Sequence, residues 1–183
     1  MSNIGTPERL TQNRIIKLFT DQLGYNFLGD KSENDNSNIE KELLTTYLNN
    51  NGYSSIHIDR TLDILDAEVN HADRSYYENN KAIYNLLRYG VDIKTEAGKV
   101  TDKVLLIDWT HPEKNHFAIA EEVTLIGNHE RRPDLVIYIN GIAIGVIELK
   151  NSRVSIGNGI RQLISNQKKE FNQWFFSTVQ IVF

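Results

Sequence analysis

Asp134, Glu148 and Lys150 stand at the two outer ends of an otherwise apolar stretch of the sequence. Between them lie two runs rich in Val, Ile and Tyr, separated by Asn140-Gly141. This pattern predicts a β-hairpin, and a hairpin brings its outer ends together. Two carboxylates and an ammonium group gathered there could hold a divalent cation beside a water molecule.

These residue types suit the metal-assisted hydrolysis of a phosphodiester bond. Such a reaction needs a metal to neutralise the phosphate, an aimed water, and a positive group near the developing negative charge. Asp134 and Glu148 are hard oxygen ligands of the kind that Mg²⁺ prefers. Lys150 lies two positions after Glu148, so both side chains leave the same face of the strand. The Leu149 side chain points to the other face, and its backbone carbonyl oxygen is a further candidate metal ligand.

The geometry of the turn decides whether the two carboxylates can meet. A two-residue turn in a regular hairpin would pair Asp134 with Ile147 and place Glu148 on the opposite face. The carboxylates share a face only if the loop has an odd number of residues or a bulge intervenes. We therefore predict a three-residue loop over 139–141, or a bulge or bend near Asp134. A regular two-residue hairpin would contradict the metal site.

Composition places the chain among globular proteins. Its 183 residues are 40% hydrophobic and 24% charged, which is enough for one domain with a core. The net charge of −4 argues against nucleic-acid binding by bulk charge but allows a local basic face. There is no cysteine, which excludes disulfides and thiolate metal sites and is compatible with a cytoplasmic location. No signal peptide or membrane-spanning run is visible in the sequence.

Helical periodicity dominates the first half of the chain. The sequence predicts helices over 6–23, 39–48, 56–69 and 81–89, with a short strand or turn over 25–29. The first helix is expected to bury the apolar residues Leu10, Ile15, Leu18, Phe19 and Leu23. The third helix is expected to bury Ile56, Leu62, Leu65 and Val69.

A period of two replaces the helical period from Val91 onwards. Strands are predicted over 91–94, 103–109, 116–126 and 175–183, with a helix over 155–171 after the hairpin. The predicted fold is a single α/β or α+β domain over 1–183, with a mixed central sheet flanked by helices and a helical N-terminal half. Because the sequence stops at Phe183 inside a predicted strand, we expect a piece of a longer protein.

Pro133-Asp134 followed by Glu148-Leu149-Lys150 resembles the PD-(D/E)xK nuclease motif. The wider sequence 132–151 is similar to the nuclease domain at the N-terminus of the restriction (motor) subunit of type I restriction–modification enzymes. The similarity extends over nearly the whole chain, at residues 23–25, 106–109, 115–119, 162 and 175–178.

The resemblance implies a restriction-endonuclease-like (PD-(D/E)xK) fold and Mg²⁺-dependent cleavage of double-stranded DNA, the activity of a type I site-specific deoxyribonuclease. By motif position, Asp134 and Glu148 would bind the metal and Lys150 would be catalytic. Gln162 would support cleavage or contact DNA. The Tyr of the family's Gln-x-x-x-Tyr motif is Asn166 here, so no role is carried onto that position.

The resemblance also implies partners. Cleavage would occur far from a recognition site after ATP-driven translocation, in an assembly with methyltransferase and specificity subunits in a prokaryotic cytoplasm. These residues contain no Walker A pattern, so the ATP-binding motor is expected beyond Phe183.

Several further residues have both a functional and an ordinary interpretation. Arg153 and Arg161 flank the site in sequence and are candidates for DNA phosphate contacts, as opposed to a solvated face. The same two interpretations apply to Arg131, Arg132, Lys168 and Lys169. Glu8 could lie near the metal or simply favour the N-terminus of the first helix. Asp108 could face the site or be a turn residue.

Two other functions remain open from the sequence. One is a free-standing PD-(D/E)xK nuclease such as a resolvase. The other is a catalytically inert module that keeps the fold and binds DNA or protein. Metal titration separates the inert module from both nucleases.

Overall fold

The computed structural model describes residues 6–71, 73–95, 100–127, 130–149, 157, 160, 161, 164, 165, 167 and 172–183. In this part of the chain, five strands form a mixed sheet in the order β1-β4-β5-β6-β7. These strands are β1 (Asn26–Asp30), β4 (Phe117–Glu121), β5 (Leu135–Ile139), β6 (Ile142–Ile147) and β7 (Ile181–Val182). β4, β5 and β6 are antiparallel, whereas β1 and β7 run parallel to their neighbours. The predicted mixed α/β sheet is confirmed.

The helices account for the N-terminal half, as predicted. They are α1 (Thr6–Lys17), α2 (Lys41–Asn50), α3 (Ser55–Val69) and α4 (Tyr76–Tyr89), with a short α5 (Gln173–Phe176) near the end of the chain. α4 begins before its predicted start because Ser75 and Glu78 form a capping box, in which each side chain accepts a hydrogen bond from the other's backbone.

The predicted strand over 103–109 is much shorter in the structure. β2 (Val91–Ile93) and β3 (Asp102–Val104) pair with each other in a separate two-stranded sheet. After Val104, over the described residues 105–109, the main chain pairs with no neighbouring strand and forms hydrogen bonds with side chains instead. The Leu106 carbonyl, for example, accepts a hydrogen bond from the Asn140 side-chain amide at 2.9 Å.

Among the described residues, two apolar clusters form the core. One lies among the helices and β2–β3, and it includes Leu44, Leu65, Ile83 and Val104. The other contains residues of the central sheet together with Phe175 and Phe176 of α5. Val136, Tyr138 and Val146 in this second cluster alternate with residues of the other face, which defines the two faces of the hairpin.

The predicted packing of the first helix is wrong for Leu10, Leu18 and Leu23, whereas Ile15 and Phe19 are half-buried. Leu10 is 60% exposed, Leu18 42% and Leu23 56%, whereas Gln12 is 1% exposed. α1 therefore contacts the sheet through a polar residue, and its last turn widens into a π-helical segment, Leu18–Gln22. Ile56 of α3 is also 50% exposed, against the prediction.

Two strand predictions near the sheet are also too long. The strand predicted over 116–126 ends at Glu121, because Glu122 adopts a left-handed φ of 53°. The strand predicted over 175–183 is reduced to Ile181–Val182. Phe175 and Phe176 instead donate their N–H groups to the Asn172 carbonyl at 2.9 and 3.3 Å, which closes a helical turn.

Most of the helix predicted over 155–171 lies outside the described residues. Five of the described positions in this interval, 157, 160, 161, 164 and 165, are helical. No helix in the described part of the chain is both long and apolar enough to cross a membrane.

Candidate active site

The hairpin turns at Asn140-Gly141, with Ile139 paired to Ile142. The φ angles of 52° and 84° at the two turn residues are those of a type I′ turn. The predicted three-residue loop is therefore wrong. Gly141 is required by space as well as by backbone angle, because a Cβ there would lie 2.6 Å from the Glu40 carbonyl oxygen.

A β-bulge in β6 changes the pairing halfway along the hairpin. Ile137 pairs with Gly145 and Tyr138 with Ala143, so Ile144 is an extra residue. Beyond the bulge Leu135 pairs with Ile147, and the same register continued by one residue sets Asp134 opposite Glu148. The predicted bulge thus exists, but it lies nearer to the turn than to Asp134. It meets the parity condition for the two carboxylates to share a face.

The outer end of the hairpin is closed by a direct hydrogen bond. Asp134 Oδ2 accepts from the Leu149 backbone N–H at 2.5 Å, which brings the carboxylate to the residue that follows Glu148. Asp134 and Glu148 are both half-buried, and Glu148 Oε1 is shielded from solvent. Glu148 itself is held from the other side, where its N–H donates to the Phe183 carbonyl at 3.1 Å.

The remaining predicted site residues are only partly described. Lys150, Arg153 and Gln162 lie outside the described residues, as does Asn166. Arg161 is described and is exposed. The structure therefore brings together Asp134, Glu148 and the main chain of Leu149.

The carboxylates at the outer end of the hairpin are the candidate ligands for the implied Mg²⁺. Within the described ranges, no group of three or more Asp, Glu, His or Cys side chains could hold a metal ion. Mg²⁺ does not require such a group, since it keeps several waters and binds through one or two carboxylates. Two half-buried carboxylates at neighbouring positions, one oriented by a backbone N–H, fit that requirement.

Sequence reasoning missed an ion-pair network beside the site. Glu121 and Glu122 are each 6% exposed, at the end of β4 next to Asp134. Arg9 Nη1 lies 2.8 Å from Glu121 Oε2, and Arg132 Nε lies 3.1 Å from Glu122 Oε2. Arg132 therefore has a carboxylate partner close to the site. The signal in the sequence was two consecutive acids closing an apolar strand.

Glu121 does not belong to the carboxylate pair on the hairpin. It pairs with Leu135 across β4 and β5, so its side chain leaves the sheet on the face opposite to Asp134. α1 covers this face, because Arg9 and Gln12 both contact Glu121. Glu8 lies in the first turn of the same helix, where an acidic residue favours the helix N-terminus.

Asp108 lies near the other end of the hairpin. Its Oδ1 accepts from the N–H groups of Thr110 and His111 at 3.0 and 2.8 Å, and its own N–H donates to Asn115 Oδ1 at 2.9 Å. Asn115 in turn contacts Asn140 at the turn. The hydrogen bond from the His111 N–H holds the pKa of Asp108 below its usual value. The turn interpretation of Asp108 is the one that the structure supports.

The five-stranded mixed sheet with its helices defines a mixed α/β protein, and this architecture is consistent with a nuclease-like fold. The family model described as "Type I restriction enzyme R protein N terminus" matches residues 5–183, and the chain belongs to this family.

Two proteins of Methanocaldococcus jannaschii are similar to parts of the chain. One, named as the MjaIXP type I restriction enzyme endonuclease subunit, is 33% identical over 98 residues, which cover 50% of this chain and 9% of that protein. The other, named as the MjaVIIIP endonuclease subunit, is 44% identical over 57 residues, 31% of this chain and 6% of that protein. The matches thus span less than a tenth of either relative.

Proposed function

We propose that this chain is the nuclease domain of a type I restriction enzyme R subunit, with a PD-(D/E)xK fold and Mg²⁺-dependent cleavage of double-stranded DNA. The observation that carries the proposal is the bulge at Ile144, because the register beyond it, continued by one residue, would set Asp134 opposite Glu148 at the outer end of the hairpin. Membership of the R protein N-terminus family and similarity to named endonuclease subunits support it.

Each residue of the site has a defined task under this proposal. Asp134 and Glu148 would hold Mg²⁺, with the Leu149 carbonyl as a further ligand. The bound ion would neutralise charge on the scissile phosphate and lower the pKa of a water nucleophile. The Leu149 N–H fixes the direction of the Asp134 carboxylate, and Glu148 Oε1 is shielded from solvent.

Lys150 and Gln162 enter the proposal through their motif positions. The Lys150 ammonium would aim the water and offset negative charge on the phosphate oxygens as the bond to the leaving group breaks. Gln162 would support cleavage or contact the DNA. Arg153 and Arg161 would bind backbone phosphates, where a guanidinium can pair with two oxygens at once.

The activity of the whole enzyme is part of the same proposal. Because the matched relatives are more than ten times longer than their matched segments, an ATP-dependent motor would be carried elsewhere in such a subunit. Methyltransferase and specificity subunits would select the DNA, and the enzyme would act in a prokaryotic cytoplasm.

A metal titration tests the proposed site. Calorimetric titration of the chain with Mn²⁺ should give a dissociation constant of about a millimolar or tighter, and Glu148→Ala should abolish the binding heat. Glu113→Ala, at an exposed acid in the loop before β4, is the matched control and should bind as the wild type does. Absence of binding to the wild type would instead favour a catalytically inert module.

A further inference from the structure

We infer that Gln12 on α1 is a positioning residue for the Asp134 carboxylate. The inference deepens the proposed function, because the importance of this carboxylate rests on that proposal. Gln12 is 1% exposed, whereas the apolar Leu10 on the same helix is 60% exposed. Burying an amide costs free energy unless its hydrogen bonds are made, so the contacts of Gln12 account for its place in the fold.

The Gln12 side-chain amide reaches three acceptors. Its Nε2 lies 3.1 Å from Glu121 Oε2, 3.2 Å from Glu122 Oε1 and 3.3 Å from the Asp134 carbonyl oxygen. An amide nitrogen carries only two hydrogens, so at least one hydrogen is shared between acceptors. Gln12 therefore joins the two buried carboxylates to the backbone of Asp134.

Glu122 is a second hydrogen-bond donor to the Asp134 carbonyl group. Its left-handed φ of 53° turns the chain after β4, and its N–H donates to the Asp134 carbonyl at 3.0 Å. The Glu122 carboxylate meanwhile contacts Arg132, two residues before Asp134. A non-glycine residue in this region of φ stores backbone strain, which the surrounding contacts must hold in place.

Asp134 is consequently fixed at both of its polar ends. Its carbonyl oxygen accepts from Gln12 and from the Glu122 N–H, while its carboxylate accepts from the Leu149 N–H across the hairpin. Loss of the Gln12 donor leaves the Glu122 N–H on this carbonyl but removes one of its two donors, so the Asp134 peptide is held less firmly. Movement of this peptide would lengthen the contact of the carboxylate with the Leu149 N–H, beside Glu148.

If the role of Gln12 were purely structural, Gln12 and Arg9 variants should have similar effects. In that case Gln12 would only fasten α1 to the acids, a task it shares with Arg9, whose Nη1 lies 2.8 Å from Glu121 Oε2. Arg9→Gln removes this ion pair and leaves the Gln12 amide in place. It is therefore the matched control, because it loosens α1 without touching Asp134.

The experiment is amide hydrogen exchange in the metal-free chain, followed by Mn²⁺ titration. In Gln12→Leu the Leu149 amide should exchange about fivefold faster relative to the amides of β4, the size expected for one hydrogen bond. The Mn²⁺ dissociation constant should rise by a similar factor of about five. Arg9→Gln should change neither quantity beyond its general effect on unfolding. Gln12→Asn, which keeps an amide but shortens its reach, serves if the leucine variant does not fold.

Equal acceleration at Leu149 and across β4, or an equal effect of Arg9→Gln, would overturn the inference. Failure of the proposed function gives a separate signature. In that case the wild-type chain would not bind Mn²⁺, while the exchange of Leu149 in the metal-free Gln12 variants would still decide whether Gln12 positions Asp134.

Discussion

The two ends of the β5–β6 hairpin are held in opposite ways. At the turn, the fully buried Asn140 is surrounded by neutral groups, accepting from the His116 N–H at 2.7 Å and donating to the Leu106 carbonyl at 2.9 Å. At the outer end, Asp134 and Glu148 are half-buried carboxylates beside a network of charged side chains. Asn140 at the turn end is neutral and fully buried, whereas the two carboxylates at the outer end are charged and only half-buried.

This difference follows from the cost of burying polar groups. Neutral amides can be buried completely when each hydrogen bond is made, but a buried charge needs a partner of opposite sign. The buried side-chain amide of Asn140 therefore lies at the turn end of the hairpin. The acids Asp134 and Glu148 lie at the outer end. The bulge at Ile144 lies between the two ends and sets the register of the acids relative to the turn.

The largest expected effect comes from changing the register of the outer end alone. Insertion of one alanine between Ile147 and Glu148 should move Glu148 to the face opposite Asp134 and abolish Mn²⁺ binding. Deletion of Ile144 removes the extra residue but leaves Asp134 opposite Glu148, so binding should persist. Calorimetric titration of the insertion and deletion variants with Mn²⁺ checks both expectations. If the deletion variant also fails to bind Mn²⁺, although its melting temperature equals that of the insertion variant, the pairing of Asp134 with Glu148 does not assemble the site.

The next largest effect is expected at the turn. Asn140→Ala leaves the His116 N–H and the buried Leu106 carbonyl without their partner and puts alanine at a φ of 52°. We expect a loss of roughly 3–5 kcal/mol in the free energy of unfolding, measured by urea denaturation. Asn140→Gly restores the backbone freedom but not the hydrogen bonds.

The glycine variant divides the loss at Asn140 into its two causes. Recovery of less than about 1 kcal/mol by Asn140→Gly would assign most of the cost to the hydrogen bonds. Asn26→Ala, at an exposed asparagine that contacts the His116 ring, is the surface control and should cost under about 0.5 kcal/mol. A small effect of Asn140→Ala itself would contradict a stabilising role for the buried Asn140 amide.

The smallest effect is expected at Asp108, an acid close to the turn end. Hydrogen bonds from the backbone N–H groups of His111 and Thr110 lower its pKa. A carboxyl group with a lowered folded-state pKa stabilises the fold above its unfolded pKa of about 3.9, and this contribution disappears as the pH falls through the folded value. Asp108→Asn should therefore lower the melting temperature slightly at pH 7, and the difference should shrink below pH 4. A difference that grows in acid would contradict this sign.

Short-range patterns predicted much of this molecule. The alternation of β-branched residues around Asn140-Gly141 predicted the hairpin, and the need for a shared face predicted an irregularity within it. The predicted family is confirmed by the family model that matches residues 5–183. The roles of the site residues stay predictions: metal binding by Asp134, Glu148 and Leu149, catalysis by Lys150 and Gln162, and DNA contact by Arg153 and Arg161. Lys150, Arg153 and Gln162 also lie outside the described parts of the chain.

The errors arose where long-range contacts outweighed local preference. The apolar residues of α1 predicted a buried face, but the acids at the end of β4 attract Arg9 and Gln12, so the helix packs on its polar side. The predicted strand from Phe175 fails for a similar reason. Phe175 and Phe176 fill the second cluster from a helical turn, which an extended strand could not place there.

By itself the sequence determined where the hairpin turns and which acids stand at its outer end, because turn chemistry and side-chain alternation act between near neighbours. Only the tertiary structure decided that Ile144 is the bulged residue and that Glu122 takes a left-handed φ. It also decided that Gln12 reaches Asp134. These features depend on contacts between segments far apart in the chain, whose geometry no local pattern encodes.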